Sequence, residues 1–395
     1  MGPSEPTGVV PDEETPASRA RALFPLLRAH ARRMDDERHL NQEVVDALTG
    51  TGLVRTVVPR RFGGSGLGLS QALDSIMEIS RASGSAGWVG SFWADHPHWL
   101  GMFPEQAQRD VWADGPDVRI ATSFMPVGRV EPADGGWLLS GRWSWASGVA
   151  HSDWVMLGAM IPTPDGPPDR RLLLVPVAEV SILDTWYSAG LRGTGSDDVV
   201  AEDVHVPEHR ALQMVAVREG TPPGARVNPD PIFSAPLMTH AGYAMVGPAI
   251  GIARGVAEDW QEQARTKAHS YTREQVSESL PMQLRLAESA ALVDTAEMLV
   301  RRCLEAVESG EPLGLRERVR HRRDISFAMR MVTRAVDGLM QMAGAGALRD
   351  SSPIQRGWRD VRAISTHVML DFNAAAENYG RMGMGLPLNP RDPFF

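Results

Sequence analysis

The spacing of apolar residues changes period twice along this chain, and that change limits the possible fold more than any other feature. From about Ser18 to Trp112, residues such as Ala20, Leu23, Leu27 and Ala31, then Val44, Val45, Leu48 and Leu53, recur at helical spacing. Near Arg119 the pattern becomes short strands, at 120–130, 137–145, 154–161, 172–177, 181–186 and 199–206, separated by Gly, Pro and Asp. Asp134-Gly135-Gly136 supplies a hairpin turn between the first two. After about Leu212 the helical period returns in longer runs. Leu292, Ala296, Leu299, Cys303 and Ala306, and Ala328, Met331, Ala335, Leu339 and Met342, recur at steps of three and four, which marks core and helix-partner surfaces. The order predicts an α+β protein with a disordered tail over 1–17, a helical domain over 18–118, an antiparallel β barrel or sandwich over 119–212 and a helical region over 213–395.

Composition narrows the function. A formal charge of −9 argues against nucleic acid or an anionic membrane as partner. A single cysteine, Cys303, excludes a disulfide framework and any cysteine-based zinc or iron–sulfur site. No apolar run reaches membrane-spanning length, and the Pro- and acid-rich start does not read as a signal peptide, so the expectation is a cytoplasmic protein. The loop Pro59–Gly68 is glycine-rich but lacks the order, the preceding strand and the lysine of a nucleotide cradle. With no dinucleotide fingerprint elsewhere, the chain is not expected to take hydride from a nicotinamide.

The segment Gly141–Trp154 carries the sharpest local signal. Trp137, Leu139, Trp143 and Trp145 alternate onto one strand face, and the strand breaks at Ser147-Gly148. Indoles beside a glycine-permitted close approach suit a flat, largely apolar ring, with Ser147 as one directed polar contact. The same residues also suit a core strand ending in a turn, and the segment alone does not separate the two readings. Eleven tryptophans against four tyrosines, many of them between Trp88 and Trp186, point to a pocket lined by large rings.

Four motifs in this order resemble the acyl-CoA dehydrogenase superfamily over nearly the whole chain. They are Pro59 with Phe62–Gly68, Gly190–Ser196 running into Asp203–Pro207, Gly344-Ala345-Gly346, and Arg356–Asp360. The resemblance implies an N-terminal helical domain, a central β domain and a C-terminal four-helix bundle, with flavin at a subunit boundary of a homotetramer. It also implies a catalytic glutamate that is missing here. The residues after Arg359-Asp360 read Val361 to Leu370 without a carboxylate, and the alternative position, seven before Gly247-Pro248, holds His240. Without either base, α,β-dehydrogenation of a thioester is not expected.

The run from Trp143 to Trp154, His96 ahead of Trp99 and Phe103-Pro104, and His367 resemble instead the two-component flavin-dependent monooxygenase branch of that fold. This implies an oxygenase that uses reduced FMN or FAD and O2 through a flavin C4a-hydroperoxide to hydroxylate an aromatic or polycyclic small molecule. Lack of a recognisable adenine site leans toward FMN. The flavin comes from a separate NAD(P)H:flavin reductase. N-oxidation of an amine or amino sugar is the alternative, favoured by acid-lined walls.

By the same resemblance, Ser147 bonds flavin N5, His367 lies over the ring, and His96 draws a proton from a phenol. Trp93, Thr122, Ser123 and His240 are expected near the substrate, and adjacent strand positions let only one of Thr122 and Ser123 face it. Trp145, Thr194, Gly195, Ser196, Arg265, Lys267, Gly344 and Gly346 complete the expected flavin contacts, with Arg265 and Lys267 reaching a neighbour's flavin. No metal is expected: His96 and His98 lack a third ligand at useful spacing. Arg359 and Asp360 are expected to pair, His205 and His209 to lie at the surface, and His151 to line the pocket or cap the turn.

Overall fold

The computed structural model describes residues 14–163, 166–268, 273 and 275–392. Of the segment expected to be a disordered tail, 1–13 lies outside the described residues, while Pro16 and Ala17 already belong to the first helix. Thr15 caps that helix: its hydroxyl accepts from Ser18 N, and the Ser18 hydroxyl bonds back to Thr15, a reciprocal box that starts a helix two residues early.

Six helices come first: α1 (Pro16–Ala22), α2 (Phe24–Glu37), α3 (Gln42–Gly50), α4 (Leu69–Ala82), α5 (Gly84–Leu100) and α6 (Glu105–Trp112). Seven strands follow: β1 (Ile120–Ala133), β2 (Gly136–Ala146), β3 (Trp154–Ile161), β4 (Asp169–Pro176), β5 (Ser181–Leu183), β6 (Asp197–Pro207) and β7 (Ala211–Gln213). They form one sheet in the order β5-β6-β2-β1-β3-β4-β7. The hairpin turn pairs Ala133 with Gly136 as expected.

The sheet departs from a purely antiparallel design at its centre, where β1 and β3 run parallel, Ile120 beside Trp154. The cause is local. After β2 returns to the start of β1, the turn that follows anchors Asp153 N on Arg119 O, so β3 sets out from the same end in the same direction. The expected strand over 181–186 stops at Leu183 because Asp197 Oδ1 accepts the amides of Thr185 and Trp186, which then have no strand partner.

The tryptophan alternation in β2 is also broken. Leu139 and Trp143 are fully buried in the β core, and the Trp143 indole donates to the Gly158 carbonyl at 2.8 Å. Trp145 does not join them. The β2–β6 register shifts between Trp143 and Ala146, Trp145 takes a φ of +68°, and its side chain is 66% exposed.

After α7 (Met214–Glu219), helices α8 (Tyr243–Thr266), α9 (Leu280–Glu308), α10 (Leu315–Met342) and α11 (Pro353–Ser365) pack on one another as a bundle, with α12 (Phe372–Gly383) against α10. α8 also packs on α4 and α5, joining the bundle to the N-terminal helices in one apolar core. No helix among the described residues is long and apolar enough to cross a membrane.

Arg359 and Asp360 do not pair with each other. Neighbours on a helix point about 100° apart, and each finds a different element: Arg359 reaches Asp35 of α2 at 3.1 Å, while buried Asp360 accepts the Leu191 N–H at 2.6 Å. His205 is exposed, but His209 bonds Asp110 of α6 at 2.8 Å and so ties β6 to the helices. Beside Leu191, Gly190 lies against the α11 backbone so closely that a Cβ there would collide with the Arg359 carbonyl. Gly190→Ala is therefore expected to cost about 1–3 kcal/mol by overpacking, seen as a lower thermal midpoint; an unchanged midpoint would contradict this packing.

Candidate functional site

The site is built where α5 meets the turn after β2. Gly148 has φ +68°, and a Cβ there would strike Val89 of α5, so the turn can approach the helix only with glycine. Trp93 backs the turn: its indole donates to Ser152 Oγ at 3.2 Å, and Ser152 bonds the Gly148 carbonyl at 3.0 Å. Trp93, expected at the substrate, is thus fully buried as a support for the turn. His151 caps rather than lines: its Nε2 bonds the Leu40 carbonyl at 2.9 Å, tying the turn to the N-terminal helices.

Ser147 sits in a chain of hydroxyls whose direction is fixed by its ends. Trp88 Nε1 donates to Ser147 Oγ at 3.0 Å. Ser147 meets Ser196 at 2.7 Å, Ser196 meets Thr194 at 2.7 Å, and Thr194 donates to the Leu191 carbonyl at 2.9 Å. Each hydroxyl has one proton. Thr194 gives its proton to the carbonyl, so Ser196 must donate to Thr194 and Ser147 to Ser196. Ser147 therefore faces the open side with a lone pair and no proton. Gly195, between these partners, packs on the His39 ring and bonds the Arg38 carbonyl at 3.0 Å.

His367 stands next to this group, its ring 6.4 Å from the Trp88 ring. Its Nδ1 accepts the Met369 N–H at 3.2 Å, which leaves Nε2–H as the donor of the neutral ring. Burial pushes its pKa down to about 4. Its other side opens on a cavity of about 940 Å³ between α9, α10 and the segment after α11, lined by Arg285, Arg330 and Arg334 together with Asp337 and Asp371, with Arg285 and Arg334 both paired to Glu288.

From Trp88 a wall of rings runs along α5 at helical spacing. Trp88 meets Phe92 edge-on at 4.9 Å, Phe92 stacks on His96 at 5.2 Å, and His96 meets Trp99 at 6.0 Å. His96 is buried; it gives its Nδ1 proton to the Ile120 carbonyl at 2.6 Å, and burial lowers its pKa, so its Nε2 is the basic nitrogen. Thr122 shares a strand face with Phe124, whose ring lies 5.8 Å from Trp99, while Ser123 points the other way, to the Ser144 carbonyl. Thr122 is itself bonded to the Met156 carbonyl at 2.8 Å.

The structure does not gather every expected residue here. His240 is fully buried beside His98, ring centroids 5.3 Å apart, and desolvation drives its pKa well down. His98 lies on the far side of α5 from His96 and bonds the Ile232 carbonyl at 2.7 Å. Lys267 and Gly344 meet at a second cavity, of about 540 Å³, lined also by Trp260, Gln263 and Gln341. Arg265 is exposed near Glu262, and a Cβ at Gly346 would meet no other described residue. Phe92, Phe124 and the three cavity arginines were not anticipated, and Trp88 and Trp99 were noted without a place in the site; the steps of four, four and three between Trp88, Phe92, His96 and Trp99 on α5 were the available signal. Among the described residues, His39, Asp184 and Asp197 are the one trio near enough to hold a metal, but Asp184 is held by Arg38.

Comparison with known proteins identifies the family. The N-terminal domain model of acyl-CoA dehydrogenases matches residues 20–113, and the C-terminal domain model matches 243–372. A pigment production hydroxylase from a Rhodococcus species is 32% identical over 94% of this chain and 96% of its own. The FADH2-dependent resorcinol hydroxylase oxygenase component of a Rhizobium species is 34% identical over 93% of both chains. The crystal structure of 3-HSA hydroxylase from a Rhodococcus species superposes with a TM-score of 0.90, at 33% identity, covering 96% of this chain and 99% of that one. The fold is that of the acyl-CoA dehydrogenases. The chain belongs to the flavin-dependent hydroxylase branch of that superfamily, the oxygenase components of two-component systems. The positions expected to carry a dehydrogenase's glutamate do not carry one: 361–370 holds no carboxylate, and position 240 is the fully buried His240.

The low pKa of His367 has a measurable consequence. Its folded value, about 4, lies below the ordinary value of 6.5. The fold thus favours the neutral ring, a contribution complete above pH 6.5 and lost as pH falls toward 4. The thermal midpoint should drop over that window, and His367→Asn should flatten the drop; a variant with the parent's full pH slope would contradict the assignment.

Proposed function

We propose that the chain hydroxylates an aromatic, phenol-like molecule with O2 and reduced flavin delivered by a separate NAD(P)H:flavin reductase. The observation that carries this reading is the placement of Ser147, His367 and His96 along one continuous wall of rings, with the Ser147 proton directed away from the open side. Bound reduced flavin supplies the electrons that activate O2. Every other step asked of this chain is positioning, electrostatics or exclusion of water.

The residues suit that group. Exposed Trp145 offers an unpaired indole face for a flat ring, and the cavity beside His367 has the volume of a cofactor site. Ser147, an acceptor on its free side, would hold the N–H that reduced flavin carries at N5 and oxidised flavin lacks. His367, a neutral donor through Nε2–H, stabilises negative charge on oxygen. His96 Nε2 takes the phenolic proton, which makes the ring more nucleophilic. Phe92, Trp99 and Phe124 cover the ring faces, and walls of this kind favour an aromatic guest over an amine.

The second cavity supports FAD over FMN, reversing the lean taken from sequence. Among the described residues Trp260 Nε1 is a buried N–H without a partner, Lys267 brings positive charge, and Gly344 allows close backbone approach. These residues, with Arg265, would hold the adenosine diphosphate half of a flavin belonging to another copy in a homotetramer. A cytoplasmic location, and the division into domains near residues 118 and 212, belong to the same reading.

The test is product formation from a simple phenol with chemically reduced FAD and isotopically heavy O2. The expected result is a catechol containing one heavy oxygen. Ser147→Ala should divert most of the turnover to hydrogen peroxide, and His367→Ala should slow oxygen consumption at least tenfold, by loss of about 1.4 kcal/mol or more. Parent protein giving peroxide alone with a panel of phenols would overturn the reading.

A further inference from the structure

The wall of rings does not stop at the Phe124 ring. The Arg170 guanidinium, from β4, lies over that ring with its carbon 4.0 Å from the centroid, and Nη2 donates to the Phe124 carbonyl at 3.1 Å. On β4, Arg170 alternates with Leu172 and Leu174, which pack into the helical core, so its side chain rises on the α5 side of the sheet.

The other donors of this cation are poorly used. Its buried Nε has no hydrogen-bond partner among the described residues. Among the described residues no carboxylate pairs with Arg170, although its neighbours Asp169 and Arg171 pair with each other at 2.7 Å. Burial lowers its pKa, and among the described residues no acid offsets that cost. A half-buried arginine stacked on an aromatic ring, with an orphaned Nε–H, is an arrangement that an incoming anion completes. Nε–H and one Nη–H lie in a plane, which matches the two oxygens of a carboxylate.

Position decides which anion. Along the wall the order is His367, Trp88, Phe92, His96, Trp99, Phe124, Arg170, so the cation lies beyond His96 on the side remote from Ser147 and His367. We propose that Arg170 receives a carboxylate carried by the substrate at the end remote from the hydroxylated ring, so that this enzyme acts on phenolic carboxylic acids. This rests on the reading of the wall as the substrate site. The guanidinium then sets both the class of substrate and which end of it points at the flavin.

The test compares 3-(4-hydroxyphenyl)propanoate with its uncharged primary amide by anaerobic calorimetry on protein loaded with reduced FAD, where no turnover occurs. The parent should bind the acid at least tenfold more tightly, the size expected of a charge-assisted bidentate contact. Arg170→Met should erase the preference, Arg170→Lys should retain part of it, and reduced-FAD affinity should stay within about twofold of the parent. Equal binding of acid and amide by the parent overturns the proposal without any variant. So does an Arg170→Met protein that loses reduced-FAD affinity and keeps the acid preference, because the cation would then serve the flavin phosphate. If hydroxylation fails while the acid preference holds, the proposed activity is wrong and the carboxylate site stands.

Discussion

The contact between α5 and the turn after β2 is the one on which the site depends. Gly148 lets the turn close on Val89 and Trp93, and that closure puts Ser147 within reach of the Trp88 indole. Everything chemical follows from it. Trp88 gives Ser147 its hydrogen bond, passes on to the ring wall through Phe92, and lies beside His367. One helix thereby sets both the polar end and the apolar length of the site. Rigid elements hold such constellations better than loops do, and the turn becomes effectively rigid through Ser152, His151 and Trp93.

Much of the architecture was legible because it is written in period. Steps of three and four gave the helices, Asp134-Gly135 gave the hairpin, and the order of segments gave the class. The parallel pairing of β1 with β3 was not legible. It depends on where the chain re-enters after Ser147, which a single backbone bond from Asp153 to Arg119 decides. Trp145 was misplaced for a related reason: alternation assumes a continuous register, and the shift between Trp143 and Ala146 ends it one residue too soon.

The site was readable where a residue type is unusual in its setting and unreadable where it depends on long-range neighbours. A serine and glycine ending a tryptophan-rich strand, and a histidine with Ala363, Ile364, Val368 and Leu370 around it, stand out locally. Trp93 and His240 were assigned by nearness in sequence or by family position, yet packing turns one into a brace and buries the other among histidines. The direction of the hydroxyl chain could not have been read from sequence. It needs the carbonyl of Leu191 to be known as its terminus, and Leu191 lies 44 positions from Ser147.

Leu191 has a further role in the design. Its backbone is left-handed, its carbonyl ends the hydroxyl chain, and its N–H is gripped by Asp360. Asp360 belongs to α11, and His367 follows two residues after that helix ends. The serine side and the histidine side of the site therefore hang from the same rod. α11 thus anchors both, through the Asp360 carboxylate on one side and the chain leading to His367 on the other. The two halves of the chemistry share a single mechanical anchorage, and the Asp360–Leu191 clasp is where one of them is made fast.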